Sequence, residues 1–303
     1  MAGEFDFIQW LRAQPAPADI PAHARVVVPP GDDLAVLRWD AAADGLLVVG
    51  VDQVLDGVHF DSAVHPPRAI GRKAMNRNLS DCAAMACLPA AAVVAIAAPR
   101  GVGADYLKEL YLGMRDAADP FGCPIVGGDT GSWDGKLAVT VSILGRTAGV
   151  DPVRRSGAEV GDGIFVTGPL GGSLLGRHMT FEPRVFLGRS LGGEFGVSAM
   201  IDLSDGVSRD LAHICRESGV GAVIDAAAVP IHDDAHALFR RDRRSPLEHA
   251  LHDGEDYELL FTYEGGTTLG TCIGKITSEP GLQLRAADGT HTPLEPKGWE
   301  HPL

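Results

Sequence analysis

Five times in this chain an acid follows an apolar or glycine-rich segment, and that recurrence constrains it more than any other feature. Leu46-Leu47-Val48-Val49-Gly50-Val51 delivers Asp52 and continues through Gln53-Val54-Leu55-Asp56-Gly57-Val58-His59-Phe60. An apolar run of that length predicts a buried strand ending in a carboxylate. Pro124-Ile125-Val126 predicts a second one, ending in Gly127-Gly128-Asp129-Thr130. Gly31-Asp32-Asp33, Asn78-Leu79-Ser80-Asp81 and Ile201-Asp202-Leu203-Ser204-Asp205-Gly206 complete the set. A single acid beside a glycine suits a turn or a helix cap. Five such sites gathered in one place would repel one another unless cations or protons compensated.

At 303 residues two domains are expected. The pattern restarts near Val150-Asp151-Pro152, which sets the boundary at 1–149 and 150–303. Strands alternate with helices in both halves without a regular βα cadence. The expected class is therefore mixed α/β, two domains each with a mixed sheet covered by helices. Helices are predicted from Phe5 to Leu11, Ile70 to Cys87 and Tyr106 to Ala118, and strands over Leu34–Leu37, Leu88–Pro99, Leu137–Leu144 and Gly163–Thr167. In the first long helix Lys73, Arg77 and Asp81 recur every four residues, which reads most simply as an exposed Arg77–Asp81 ion pair. Ser204 is placed to cap a helix whose inner face is Val207, Leu211 and Ile214, putting Asp205 in its first turn. Gly168-Pro169-Leu170-Gly171-Gly172-Ser173 reads either as a phosphate cradle or as a domain connector.

Lys and Arg total 26 against 40 Asp and Glu, a net charge of −14. That balance disfavours nucleic acid and anionic membrane as partners. The acids at Glu4 and Asp6 do not suit a signal peptide, and the alanine- and valine-rich Leu88–Pro99 is too short to span a bilayer. Five cysteines without a CxxC pair make a disulfide framework or zinc knuckle unexpected and place the chain in a reducing cytoplasm. Carboxylates compensated by several Mg²⁺ ions would form a phosphoryl-transfer site. The usual nucleotide motifs are missing: Gly135-Lys136 lacks the rest of a P-loop, and no H-R-D or D-F-G occurs. Any ATP would then be held mainly through metals.

The ordered set Gly3-Glu4-Phe5, Gly31-Asp32-Asp33, Asp52 to Phe60, Asn78-Leu79-Ser80-Asp81, Gly127-Gly128-Asp129-Thr130, Arg155-Ser156-Gly157, Asp202-Leu203-Ser204-Asp205-Gly206 and Gly254-Glu255-Asp256-Tyr257-Glu258 resembles thiamine-monophosphate kinase over nearly the whole chain. That family is similar to aminoimidazole ribonucleotide synthetase, selenophosphate synthetase and a hydrogenase maturation factor. The resemblance implies in-line transfer of the ATP γ-phosphoryl group to thiamine monophosphate, assisted by Mg²⁺, in a homodimer joined through N-terminal domains. It implies Asp33, Asp52, Asp81, Asp129, Asp202 and Asp205 as metal ligands, with Asp129 and Asp205 central to catalysis. Tyr111, Gly128, Asp129, Arg155 and Ser204 would contact ATP, and His59, Glu255 and Trp299 would hold the thiamine moiety. Bland alternatives stand beside these: His59 satisfied by backbone, Arg155 a surface charge, Trp299 an apolar plug. The chain departs from the pattern at Gly50-Val51, where hydroxyls are usual, at Asp253, which adds a charge near the presumed thiamine pocket, and in a short segment between Gly172 and Pro183. Two alternatives follow: a related ATP-using enzyme with another small substrate, or a catalytically weakened nucleotide-binding paralogue.

Overall fold

The computed structural model describes residues 26–28, 36–37 and 46–299. The expected helix at Phe5–Leu11 and the Gly31-Asp32-Asp33 turn, including the predicted ligand Asp33, lie outside the described residues. A short pair, β1 (Val26–Val28) and β2 (Val36–Leu37), is antiparallel. The chain divides into two compact units, one running through Cys82 and again from Cys87 to Gly149, the other taking Ala83–Ala86 and the chain from Val150.

The first unit is built on β3 (Leu47–Leu55), α1 (Pro67–Ala84), β4 (Leu88–Pro99), α2 (Ala104–Ala118), β5 (Ile125–Trp133) and β6 (Ala138–Arg146). Its four strands run in the order β3-β6-β4-β5, antiparallel except for β4 with β5, so the sheet is mixed. Val139, Val141 and Ile143 of β6 alternate as buried residues on one face, and Met75, Leu79, Leu110 and Met114 of the helices are likewise fully buried. The helices meet at Gly71 and Gly113: a Cβ on either would lie 1.9 Å from a backbone oxygen of the other helix, Leu110 O or Arg68 O. Only glycine permits that approach.

Two expectations change here. β3 is an edge strand, with Val49 and Val51 largely exposed, rather than a buried one. Asp52 and Asp129 stand inside their strands, not at the ends, because the ladders continue past them to Leu55 and Trp133. Gly127 and Gly128 do not break β5: the parallel ladder with β4 carries the backbone, and a Cβ at Gly128 would sit 2.0 Å from Val94 O.

The second unit comprises β7 (Gly163–Val166), α3 (Val185–Ser190), β8 (Ala199–Asp202), α4 (Val207–Ser218), β9 (Gly221–Asp225), α5 (Asp233–Asp242), α6 (Pro246–His252), β10 (Leu259–Tyr263), β11 (Thr271–Thr277), β12 (Gly281–Arg285) and β13 (His291–Pro293). Seven strands run β13-β12-β9-β11-β7-β10-β8, and the parallel β9–β12 pair makes this sheet mixed as well. Val207, Leu211 and Ile214 are buried as the sequence predicts, in one core with Ile164, Val166, Ile201, Leu260 and Ile273. Each such side chain contributes about 1.5–3 kcal/mol of burial. Gly113→Ala should lower unfolding free energy by about 3 kcal/mol, whereas Gly131→Ala, whose Cβ would meet nothing within 4 Å, should change it by less than about 0.5 kcal/mol. Chemical denaturation compares the two.

Candidate active site

In the second unit the structure gathers five predicted residues around one loop. β8 ends in the buried Asp202, and the chain turns through Leu203, Ser204 and Asp205 before α4 begins at Val207. Three carbonyls of this turn are taken by other segments. Leu203 O accepts from Tyr257 N at 2.9 Å, Ser204 O from Glu255 N at 2.8 Å, and Asp205 O from Trp299 N at 3.2 Å. Asp202, Ser204, Asp205, Glu255 and Trp299 are thus joined through backbone hydrogen bonds and their neighbours. Gly298 (φ 138°) makes the last contact possible, since its Cβ would fall 2.1 Å from Asp205 O. The indole of Trp299 remains 44% exposed, so it is not a buried plug.

Ser204 does not cap α4. Gly206 (φ 108°) takes the N-cap position, and Asp205 precedes the helix. The Asp210 carboxylate in the first turn accepts instead from Asp205 N at 3.1 Å and Gly206 N at 3.0 Å. Burial, then the charges of Asp205 and Asp202, push the Asp210 carboxyl well above the usual range. Three acids are therefore electrostatically coupled here. The sequence signal for Asp210 was an acid in a helical first turn.

The Gly254-to-Glu258 motif is clasped side chain by side chain. His178 Nδ1 lies 3.0 Å from Glu255 Oε2, and the Tyr257 hydroxyl donates to Glu255 Oε1 at 3.3 Å. Arg177 donates to Asp256 Oδ1 at 2.9 Å, while Gly171 N donates to both Asp256 oxygens at 3.0 Å. Tyr257 stacks on Phe181 with centroids 3.9 Å apart, and Arg184 donates to both oxygens of Glu258. The Gly168–Ser173 loop is thus no domain connector; it lies within this unit and directs the Gly171 amide at Asp256. Glu255 (φ 54°) and Tyr257 (φ 53°) hold left-handed backbone, a conformation that these contacts must sustain. Sequence reading missed Arg177, His178, Phe181 and Arg184, since nothing local marks partners about 75 residues away. Asp253 is held by Arg244 at 3.1 Å and His249 Nδ1 at 2.8 Å. Arg155 is exposed, and its guanidinium and Asp205 both act on His213, with opposite signs.

The first unit disperses its predicted residues. Register places Gln53, Thr140, Ala95 and Asp129 side by side on one face, with Asp52, Val141, Val94 and Gly128 on the other. Asp129 is exposed. On the opposite face Asp52 receives Arg77 Nη2 at 3.1 Å on Oδ1, which also accepts from Gln53 N. Arg77 reaches across to Asp52, and Lys73 is fully buried, its amine donating to His59 O at 2.6 Å. Asp81 is exposed on the last turns of α1. His59 is buried, and its Nδ1 accepts from Leu55 N at 3.0 Å, the backbone-satisfied arrangement. With Nδ1 accepting, the neutral ring carries its hydrogen on Nε2. Tyr111, on α2, is partly buried, and burial raises its hydroxyl pKa despite Arg115.

Residues 31–147 match the model of the AIR synthase related protein N-terminal domain. Thiamine-monophosphate kinase of Rhodopirellula baltica is 40% identical over 293 residues, 91% of this chain and 92% of that one. The chain belongs to the thiamine-monophosphate kinase family. The Escherichia coli member is 33% identical over 89% of this chain and 90% of its own. Among solved structures, one described as AaThiL complexed with AMPPCP and TMP aligns at TM-score 0.76 and 30% identity, covering 84% of this chain and 87% of that one. Thiamine-monophosphate kinase from Stenotrophomonas maltophilia aligns at TM-score 0.79 and 31% identity, covering 94% and 96%. Escherichia coli HypE, at 20% identity and TM-score 0.77 over 98% of this chain and 97% of its own, shares the fold.

The donor set is all carboxylate oxygen, the chemistry of Mg²⁺. Among the described residues no three acid, histidine or cysteine side chains gather closely enough to hold a metal by themselves. That still fits Mg²⁺, which binds through one or two carboxylates and completes its shell with water and phosphate. Burial moves the Asp256 carboxyl from an ordinary 3.8 up to about 7, against the pull of Arg177 and Gly171 N–H. The unfolded chain then releases this proton first, so the stability it confers is full below about pH 3.8 and lost as pH rises through 7. Asp256→Asn should flatten that decline between pH 4 and 7 by a few kcal/mol, read by denaturation of both proteins across the range.

Proposed function

We infer that this chain catalyses ATP-dependent phosphorylation of thiamine monophosphate to thiamine diphosphate. The observation that carries the reading is the junction at 202–206, which ties Asp202, Ser204 and Asp205 to Glu255 and Trp299 in a member of this family. A phosphate oxygen of thiamine monophosphate attacks the γ-phosphorus of ATP in line. One P–O bond forms, the β–γ bridging bond breaks, and ADP departs with its electron pair. The attacking phosphate is already an anion, so the step needs positioning and charge compensation rather than a strong general base.

Asp202 and Asp205 in the second unit, and Asp81 and Asp129 in the first, are the carboxylates we assign to Mg²⁺. Bound there, Mg²⁺ neutralises phosphate charge and lowers the repulsion between the two reactants. Asp52, held by Arg77 and Gln53 N–H, offers a metal only its remaining lone pairs. In this reading Tyr111, Gly128, Arg155 and Ser204 are the residues assigned to ATP, as the family resemblance implies. Glu255 accepts from the aminopyrimidine, the exposed Trp299 offers an aromatic face to a cationic or flat ring, and His59 presents Nε2–H.

A homodimer joined through the first unit is supported by its open sheet face. Leu47, Val49 and Val51 are 45%, 70% and 65% exposed along edge strand β3, an apolar stripe of the kind that marks protein interfaces. The five free cysteines, four of them buried, suit a reducing cytoplasm.

Incubation with Mg-ATP and thiamine monophosphate should yield thiamine diphosphate and ADP. No product at high enzyme concentration, with ATP still bound, would leave the weakened paralogue instead. Asp205→Asn and Asp129→Asn should each cut kcat by roughly 100-fold or more while leaving the unfolding transition in place; undiminished turnover would remove that residue from the metal set. Sedimentation should give a dimer mass, and Val49→Lys with Val51→Lys should shift it to monomer.

A further inference from the structure

The Arg155-Ser156-Gly157 loop lies at the surface, yet its backbone is tied down on both sides of Arg155. Most of this falls to one atom, the hydroxyl oxygen of Ser218, the last residue of α4. It accepts from Gly157 N and Ala158 N, both at 3.1 Å, and donates to Arg155 O at 3.2 Å. A serine hydroxyl has one hydrogen and two lone pairs, so these three bonds use its full capacity. Gly219, left-handed at φ 69°, ends α4 immediately after Ser218. Around the loop, Arg154 O accepts from Met200 N at 3.1 Å, Ala158 is buried in the core, and a Cβ on Gly157 (φ 135°) would fall 2.4 Å from Ser198 O. The Arg155 guanidinium, by contrast, has no acid partner among the described residues. Its charge and that of Asp205 both reach His213 of α4.

We propose that Ser218 is a positioning residue for the nucleotide, its hydroxyl holding the loop at 155–158 so that the Arg155 guanidinium meets a phosphate group of ATP. This rests on the assignment of Arg155 to ATP under the proposed function. A guanidinium stays charged and offers five donors in a planar fork, the geometry that suits phosphate oxygens. Binding through it loses less when the loop that carries it is already ordered, because the ordering no longer falls on the binding step. Ser218 supplies that order without touching the ligand. Removing its hydroxyl leaves two amides and one carbonyl at the surface, where water can pair them, so the fold survives while the loop gains freedom. The loss then falls on the charged contact that Arg155 makes, and thiamine monophosphate does not feel it.

A double-mutant cycle in steady-state kinetics on the full chain tests this. KM for ATP should rise roughly tenfold or more in Arg155→Ala and roughly threefold or more in Ser218→Ala. Ser218→Thr, which keeps the hydroxyl, should restore it to within about twofold. KM for thiamine monophosphate should hold within about twofold in all three. Because Ser218 acts through Arg155, adding Ser218→Ala to Arg155→Ala should change KM for ATP by less than about twofold further. A merely structural serine would weaken both backgrounds alike, so equal damage with and without Arg155 overturns the proposal. Equal changes for both substrates, or no change in Ser218→Ala, overturn it too. Should Ser218→Ala not fold, Ser218→Cys, with its weaker donor and acceptor, takes its place in the same cycle. The underlying reading fails separately: an unchanged KM for ATP in Arg155→Ala removes Arg155 from the ATP site, whereas a raised one there with none in Ser218→Ala removes only Ser218.

Discussion

The second unit hangs on three backbone carbonyls between β8 and α4. Where β8 stops at Asp202, its last polar groups must still be paired, because a buried carbonyl without a donor costs on the order of 1–3 kcal/mol. The donors come from two distant segments: Tyr257 and Glu255 on one side, Trp299 on the other. Leu203 N returns the bond to Glu258 O at 2.8 Å, so the β8–β10 ladder runs on past the regular strand. The acids of the turn are therefore placed by main-chain bonding. Asp210 adds the remaining constraint, satisfying two amides at the head of α4 while standing beside like charges.

That junction explains why Gly-Glu-Asp-Tyr-Glu is so dense in special residues. Left-handed backbone at Glu255 and Tyr257 costs on the order of 1–3 kcal/mol each, and the segment from Gly171 to Arg184 offsets it by contacting every side chain from Glu255 to Glu258. Asp256 and Glu258 take arginines, Tyr257 takes a ring, and Glu255 takes a histidine. Two of these four side chains serve structure through ion pairs. Glu255 and Tyr257 are hydrogen-bonded to each other, and the clasp gives them a fixed geometry.

In the first unit, close packing sets the geometry. Gly71 and Gly113 let α1 and α2 cross at backbone contact, and the sheet beneath them turns one face inward and leaves the other open. Asp52 faces the helices and is met by Arg77; Asp129 faces outward. An acid on the covered face needs a cation within reach, and Arg77 supplies it at a cost in freedom for any further ligand. Lys73 shows the same economy, a fully buried ammonium aimed at the carbonyl of His59.

Much of the fold was legible in the sequence because its signals are local. The β4 strand from Leu88 to Pro99, the buried face of Val207, Leu211 and Ile214, and the helix ending at Ala118 follow from apolar spacing alone. So did the identities of the acids and their order along the chain. Burial of β3 was misjudged, since an apolar run looks the same at a sheet edge as at its centre, and only strand order distinguishes them. The Ser204 cap failed because a glycine with positive φ and a carboxylate one turn on could do the same work. By itself, then, the sequence determined which residues carry charge and which segments form strands and helices, because propensity and periodicity act over a few residues. The tertiary structure decided which face each acid occupies and which partner holds it. Faces depend on register, and partners such as His178 and Glu255 meet only when segments far apart along the chain are brought to one place.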